Sequence, residues 1–373
     1  MNNMSMKSGT KTDSDIDIVI PWVDGSDPAW QAEFRAARAA VTGVGGGTYN
    51  ADTEEVVATG GDENSAEIRY RDWGTLRYVL RGIERFAPWV RRVHLVTWGH
   101  LPEWLDVSCE RLNIVRHRDF IPAEYLPTFA SRPIELNVHR IEGLAERFVL
   151  FNDDMFLCRE VPAERFFRGE SGLPCDMARL SLIAGSSISH TVLNMTEILA
   201  RRHDRREAMR RNRGKWLSPR YGVANLLKTL DLSVWRGWSG LADTHMPQPY
   251  LRETFERMWR EEGEVLDATC RQRFRSPMGV NHWLMRYEQL ATGRFEPVGF
   301  RDARLDFLAE ERIGEIERYV RSQQYAMICL NDSGLVGDFE VIRGRLEGAL
   351  VAILSDKSRF LIYGGGRGGG WIK

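Results

Sequence analysis

The sequence predicts an α/β protein, with a mainly parallel sheet flanked by helices and a helical region in the C-terminal half. Three observations carry this. Apolar strand-like runs alternate with amphipathic helical segments through the first half, the pattern of crossover connections in a parallel sheet. Helical periodicity takes over in the second half. Three of the strand-like runs stop at acidic residues: Trp22–Pro28, Phe151–Asp154 and Leu330–Asp332. In open α/β sheets ligands sit beyond the carboxyl ends of the strands, so these ends are candidate site positions.

The first strand begins at Ile16 and stops at Trp22, and a helix follows over 29–40. Residues 42–67 are rich in Gly, Thr, Asp and Glu and predict a mobile loop with no regular element. Leu76, Val79, Leu80 and Ile83 follow i, i+3, i+4, i+7 spacing, so 73–86 is a helix that Pro88 ends. Strands are expected at 93–97, 113–115 and 147–151, with a helix over 134–146. Helices then follow at 220–231, 248–262, 277–291, 311–322 and 338–355. In the last of these, Phe339, Ile342, Leu346, Leu350 and Ile353 line one face. The short apolar run Ala326–Leu330 returns the chain to the sheet. This gives a flexible start (1–14), a core (15–180), a mainly helical region (181–322), a return to the core (323–360) and a flexible tail (361–373).

Composition excludes several classes. At 373 residues, 43% hydrophobic and 28% charged, the chain is an ordinary globular protein able to bury a full core. A formal net charge of −1 gives no bulk attraction to nucleic acid or to an anionic membrane. Five cysteines without a CxxC pair speak against a disulfide framework or zinc site and for a reducing compartment. The polar first 14 residues lack a secretory signal, and no run of about 18 apolar residues spans a bilayer. A soluble, cytoplasmic protein is expected. Walker A, GxGxxG, GxSxG and HExxH are absent, which removes the common NTPase, dinucleotide, serine hydrolase and zincin readings.

Asp153 and Asp154 offer hard oxygen ligands for Mg²⁺ or Mn²⁺, which in turn grip a diphosphate; a solvated turn is the plainer alternative. Asp27, before Pro28, suits a helix cap, which leaves Asp24 as the site carboxylate. His245 sits in Thr244-His245-Met246-Pro247, a stiff turn suited to a positioned base. Arg275, in Arg273-Phe274-Arg275-Ser276, has the planar fork that matches phosphate. The basic run 201–213 reads as a solvated helix face, or as a surface for an anionic acceptor or partner.

Four ordered blocks resemble the Stealth family of sugar-1-phosphate transferases. The first is IDIVIPWVDGSDP (16–28). The second gathers RYRDWGTLRYVLRGIERFAPWV (69–90), HLVTWGHLPEWL (94–105), LPTFASRPIELNVHRIEGL (126–144) and FVLFNDDMFL (148–157). The third has THMP (244–247) and RFRSPM (273–278), and the fourth is ICLND (328–332). The resemblance implies a glycosyltransferase-A-like core with a helical insertion. It also implies a UDP-sugar donor, a glycan hydroxyl that attacks phosphorus, release of UMP and a role in capsular or exopolysaccharide synthesis.

By that resemblance Asp153 and Asp154, with Asp332, hold the metal, and Asp24 belongs to the nucleotide side. His245 is the general base, Arg275 grips the transferred phosphate, and Asn331 and Asp332 close the site. Asp72, Arg77, Asn137 and His139 line the pocket. Trp73 stands where related sequences usually have Asn. The same carboxylates also suit a metal-dependent glycosyltransferase that releases UDP, and a non-catalytic glycan binder is the third reading.

Overall fold

A computed structural model describes residues 16–42, 48–50, 55–57, 70–183, 185, 188–332 and 336–363. The flexible start expected over 1–14, most of the 42–67 loop and the Gly-rich residues 364–373 lie outside them. Numbered along the chain, the strands are β1 (Ile16–Pro21), β2 (Thr48–Asn50), β3 (Glu55–Val57), β4 (Arg92–Thr97), β5 (Leu112–Arg116) and β6 (Arg147–Leu150). They continue with β7 (Met155–Leu157), β8 (Cys175–Asp176), β9 (Gln248–Leu251), β10 (Glu296–Pro297), β11 (Ala303–Leu308) and β12 (Met327–Asp332).

The main sheet has the order β5-β4-β1-β6-β9, with every pair parallel except β6–β9. Both of its faces are buried, so β1 reads as a continuous apolar run broken only by Asp17. Alternation then sorts its side chains: Ile16, Ile18 and Ile20 join one core, and Val19 joins the other. Asp17 is tolerated because it is fully paired. Arg91 donates to both its oxygens at 2.9 and 2.6 Å, His94 Nε2 lies at 2.9 Å and the Ala145 N–H donates at 2.8 Å.

A second sheet, β11-β12-β7, pairs β12 parallel to β11 and antiparallel to β7. β7 follows β6 after only Phe151–Asp154, so one short segment joins the two sheets. Several sequence expectations need correction. Gln248–Leu251, expected to open a helix, is edge strand β9, where Pro249 costs little because one side of the strand has no ladder to serve; the helix starts at Arg252. The helix expected over 134–146 is Ser131–Asn137, tightening into a 3₁₀ turn at Val138–Arg140. β2 and β3 form a small antiparallel hairpin inside the stretch expected to hold no element. β11 was not anticipated. At the other end, Leu361 is buried and bridges to Leu105.

The β9 edge is held by an ion pair deep in the second core. Asp176 accepts from Arg286 Nε at 2.7 Å and Nη2 at 3.1 Å, and from the Gln248 amide at 3.0 Å. Both charges are excluded from solvent. Arg286→Met therefore leaves an uncompensated buried carboxylate and should lower unfolding stability by about 3–5 kcal/mol, read by denaturant titration, whereas Asp176→Leu with Arg286→Met should recover most of the loss.

Candidate active site

The ends of β1, β4, β6 and β12 and the approach to β9 converge on one side of the molecule. Because β9 runs antiparallel to β6, pairing Gln248 with Leu150, the residues just before it lie beside those just after β6. That topology brings His245 to Asp154.

Beyond β1 the chain turns sharply. Gly25 is required there by close approach: a Cβ would lie 2.3 Å from Tyr70 Cβ and 2.4 Å from Tyr70 O. Asp24 Oδ1 accepts from Ser26 N at 2.8 Å and Ser26 Oγ at 2.6 Å. Its own N–H donates to His100 Nε2 at 2.7 Å. That bond requires the His100 proton on Nδ1, and burial holds the imidazole below its usual pKa. Asp27 Oδ1 accepts from Trp30 N at 2.8 Å, so it caps the helix Pro28–Thr42 as expected.

Beyond β6, Asp153 and Asp154 sit between the two sheets. Burial, then the charges of Asp154 and Asp72, push the Asp153 carboxyl up to about 8. Burial also raises Asp154, against the pull of His245. Asp154 Oδ1 is buried and receives no hydrogen bond among the described residues. Its carbonyl accepts from Leu330 N at 3.0 Å, which locks the turn to β12. Asp72 is likewise raised, by burial and then by the charge of Asp24, although Gly74 N donates to it at 2.9 Å.

His245 has a left-handed backbone, φ 42°, an uncommon state for a residue with a Cβ. Asp243 maintains it, accepting from the His245 N–H at 2.8 Å while its carboxylate faces Nδ1 at 3.6 Å. Burial favours the neutral ring, but Asp243, Asp154 and Asn331 together outweigh it and raise the pKa. Trp283 meets the ring edge-on at 6.4 Å. Ligand atoms of Asp154, His245 and Cys329 lie within 4.8 Å of one another. The Cys329 thiol, its pKa well raised by burial, donates to Asn331 Oδ1 at 3.4 Å.

At the end of β12, Asp332 accepts from Trp73 Nε1 at 3.1 Å and faces Arg71 at 3.5 Å. Trp73 packs on Phe339 at 4.7 Å, so the indole spans from the site to the C-terminal helix Phe339–Ile353. Arg77 pairs with Glu347 of that helix at 3.1 Å, close enough to Asp72 to favour its charged form.

The expected site residues thus divide. Asp24, Asp72, Asp153, Asp154, His245, Asn331 and Asp332 gather at the strand ends, with Arg77 on their flank. Asn137 and His139 have no described contact with them. Asn137 donates to Pro133 O at 2.8 Å and to Cys270 Sγ at 3.4 Å. His139 stacks on Phe255 at 5.9 Å, and burial pushes its pKa down to about 3. Arg275 is half-buried on a loop whose Arg273 carbonyl accepts from Phe129 N at 2.8 Å. Phe274 anchors this loop, 5.5 Å from Phe129 and 5.6 Å from Phe34 of the helix that follows Asp24. Sequence reasoning missed His100, Asp243 and Cys329. Asp243 had a faint signal, an acceptor two residues before a histidine; His100 had another, its place just past a strand end.

Comparison with known family models matches the first two of the four blocks. The family model for Stealth protein CR1, conserved region 1, matches residues 14–42, and that for CR2, conserved region 2, matches 69–174. The chain is 35% identical over 349 residues to the receptor polysaccharide phosphotransferase WefC of Streptococcus gordonii, covering 93% of this chain and 99% of that protein. It is 35% identical over 319 residues to the capsular polysaccharide phosphotransferase WcwK of Streptococcus pneumoniae (86% and 90%). With the exopolysaccharide phosphotransferase cps2G of Lactiplantibacillus plantarum it shares 32% over 352 residues (93% and 96%). Similarity at this level, running nearly end to end, means that the chain belongs to the Stealth family.

Proposed function

We propose that the protein transfers hexose-1-phosphate, or N-acetylhexosamine-1-phosphate, from a UDP-sugar to a hydroxyl of a glycan acceptor. The acceptor oxygen forms a bond to the phosphorus beside the donor sugar, the P–O bond to UMP breaks, and a phosphodiester results. Capsular or exopolysaccharide synthesis is the setting that suits its relatives' names, and a cytoplasmic location is part of the proposal. The observation that carries the reading is the meeting of Asp153, Asp154 and His245 at adjoining strand ends.

The residues fit Mg²⁺ or Mn²⁺. Asp154 Oδ1 is buried without a donor among the described residues, and Asp153 is held far above the normal carboxylate range by burial and then by its acidic neighbours. Asp153 and Asp154, with Asp332, would hold the ion; bound there, it offsets negative charge on the diphosphate. His245 takes the proton of the acceptor hydroxyl, made more basic by Asp243 and aimed by the hydrogen bond at its N–H. Asp24 and Asp72 face the nucleotide side, Asn331 closes the site from β12, and Arg275 grips the transferred phosphate from its anchored loop.

Chromatography of the nucleotide product tests the reaction: UMP is expected, and UDP would overturn it in favour of glycosyl transfer. Asp154→Ala and His245→Ala should each lower turnover at least about 100-fold. Asp153→Asn removes a buried carboxyl that burial and its neighbours force to stay protonated near neutral pH, and should stabilise the metal-free protein by about 1–2 kcal/mol while turnover is lost. Added Mn²⁺ should raise the melting midpoint of the wild type and leave that of Asp153→Asn unmoved.

A further inference from the structure

The helix Val223–Ser233 presents a face that nothing in the described molecule covers. Val223, Leu227 and Leu230, with Val234 just past its end, are 73%, 60%, 47% and 70% exposed. Their i, i+4, i+7, i+11 spacing puts them on one narrow stripe. Trp235, 70% exposed, lengthens it. The other side of the helix is already satisfied: Thr229 is buried, and Leu226 and Leu232 pack on the second core. The stripe is therefore a second apolar face. The buried Arg205 guanidinium fixes the end that carries Trp235, donating to Gly237 O at 2.9 Å, Ser233 O at 3.0 Å and the Trp235 carbonyl.

Charge identifies what the face meets. From Arg201 to Arg236 there are eleven Arg and Lys against three Asp and Glu, in a chain whose net charge is −1. Arg206, Arg210, Arg213, Lys228 and Arg236 are exposed and enter no ion pair among the described residues. Leu and Val on one stripe, a Trp at its end and cations around it match a helix lying in a lipid–water interface. Anionic headgroups complement the cations. We infer that this surface docks the protein on an anionic bilayer with the Val223–Ser233 axis in the membrane plane. Among the described residues no helix is long and apolar enough to cross a membrane, so this attachment is peripheral. The chain runs on from Trp235 through Leu241 to Thr244–Pro247, so the docked segment leads directly into the turn that carries His245.

Vesicle co-sedimentation of the full chain, without any donor, tests this independently of the reaction. Binding to vesicles of phosphatidylglycerol mixed with phosphatidylcholine is expected to be at least about tenfold tighter than to phosphatidylcholine alone, and to weaken with salt. Leu227→Glu with Leu230→Glu should weaken it at least about tenfold. Lys228→Glu with Arg236→Glu should do the same for the anionic vesicles alone, each pair with an unchanged melting midpoint. Equal binding to both vesicle types overturns the inference, as does wild-type binding by a folded variant. So does a dimer that the leucine substitutions dissolve while no vesicles are bound, since a second copy would then cover the face.

Discussion

The site rests on a constraint in four residues, Phe151–Asp154, which end β6 and begin β7. β6 is fixed by β1 and β9 on its two sides, and β7 is fixed by β12. The connecting backbone has no slack, and the Asp154 carbonyl is itself tied to Leu330. Two neighbouring carboxylates are thereby held in a region that would repel them. Their cost is met by the cores on either side of the main sheet, whose buried apolar side chains make the junction rigid.

The same junction explains how residues far apart in sequence become neighbours. An antiparallel strand beside β6 necessarily starts where β6 ends, which sets Asp243 and His245 against Asp154. A strand antiparallel to β7 necessarily finishes where β7 begins, which sets Asn331 and Asp332 there too. Two reversals of direction in otherwise parallel sheets thus assemble the cluster. The left-handed turn at His245 is the strain this arrangement stores, held by one carboxylate and the packing of Trp283.

Much of this was legible in the sequence because its signals are local. Continuous apolar runs that stop at turn residues located β1, β6 and β12, and Asp27 before Pro28 announced a cap. The illegible parts depend on tertiary partners. β11 exposes alternate side chains and carries Arg304 and Asp306, so it lacks the apolar signature of a buried strand. β9 is a strand only because the β6 edge is there to receive it. Asn137 and His139 have polar side chains that packing, not periodicity, turned inward. Which acidic residues share charge is likewise a property of the folded junction, beyond any spacing rule.

The rings Phe34, Phe129, Trp30, Tyr70 and Phe274 form one interlocked cluster, with centroids 4.7–5.6 Å apart. It couples segments from four remote stretches of chain: the helix behind Asp24, the residues before Asp72, the segment at Phe129 and the loop bearing Arg275. Those segments are mechanically one body. Any closure over a ligand must carry the Arg275 guanidinium and the first-strand turn together, so the two ends of the cleft would move as a single unit.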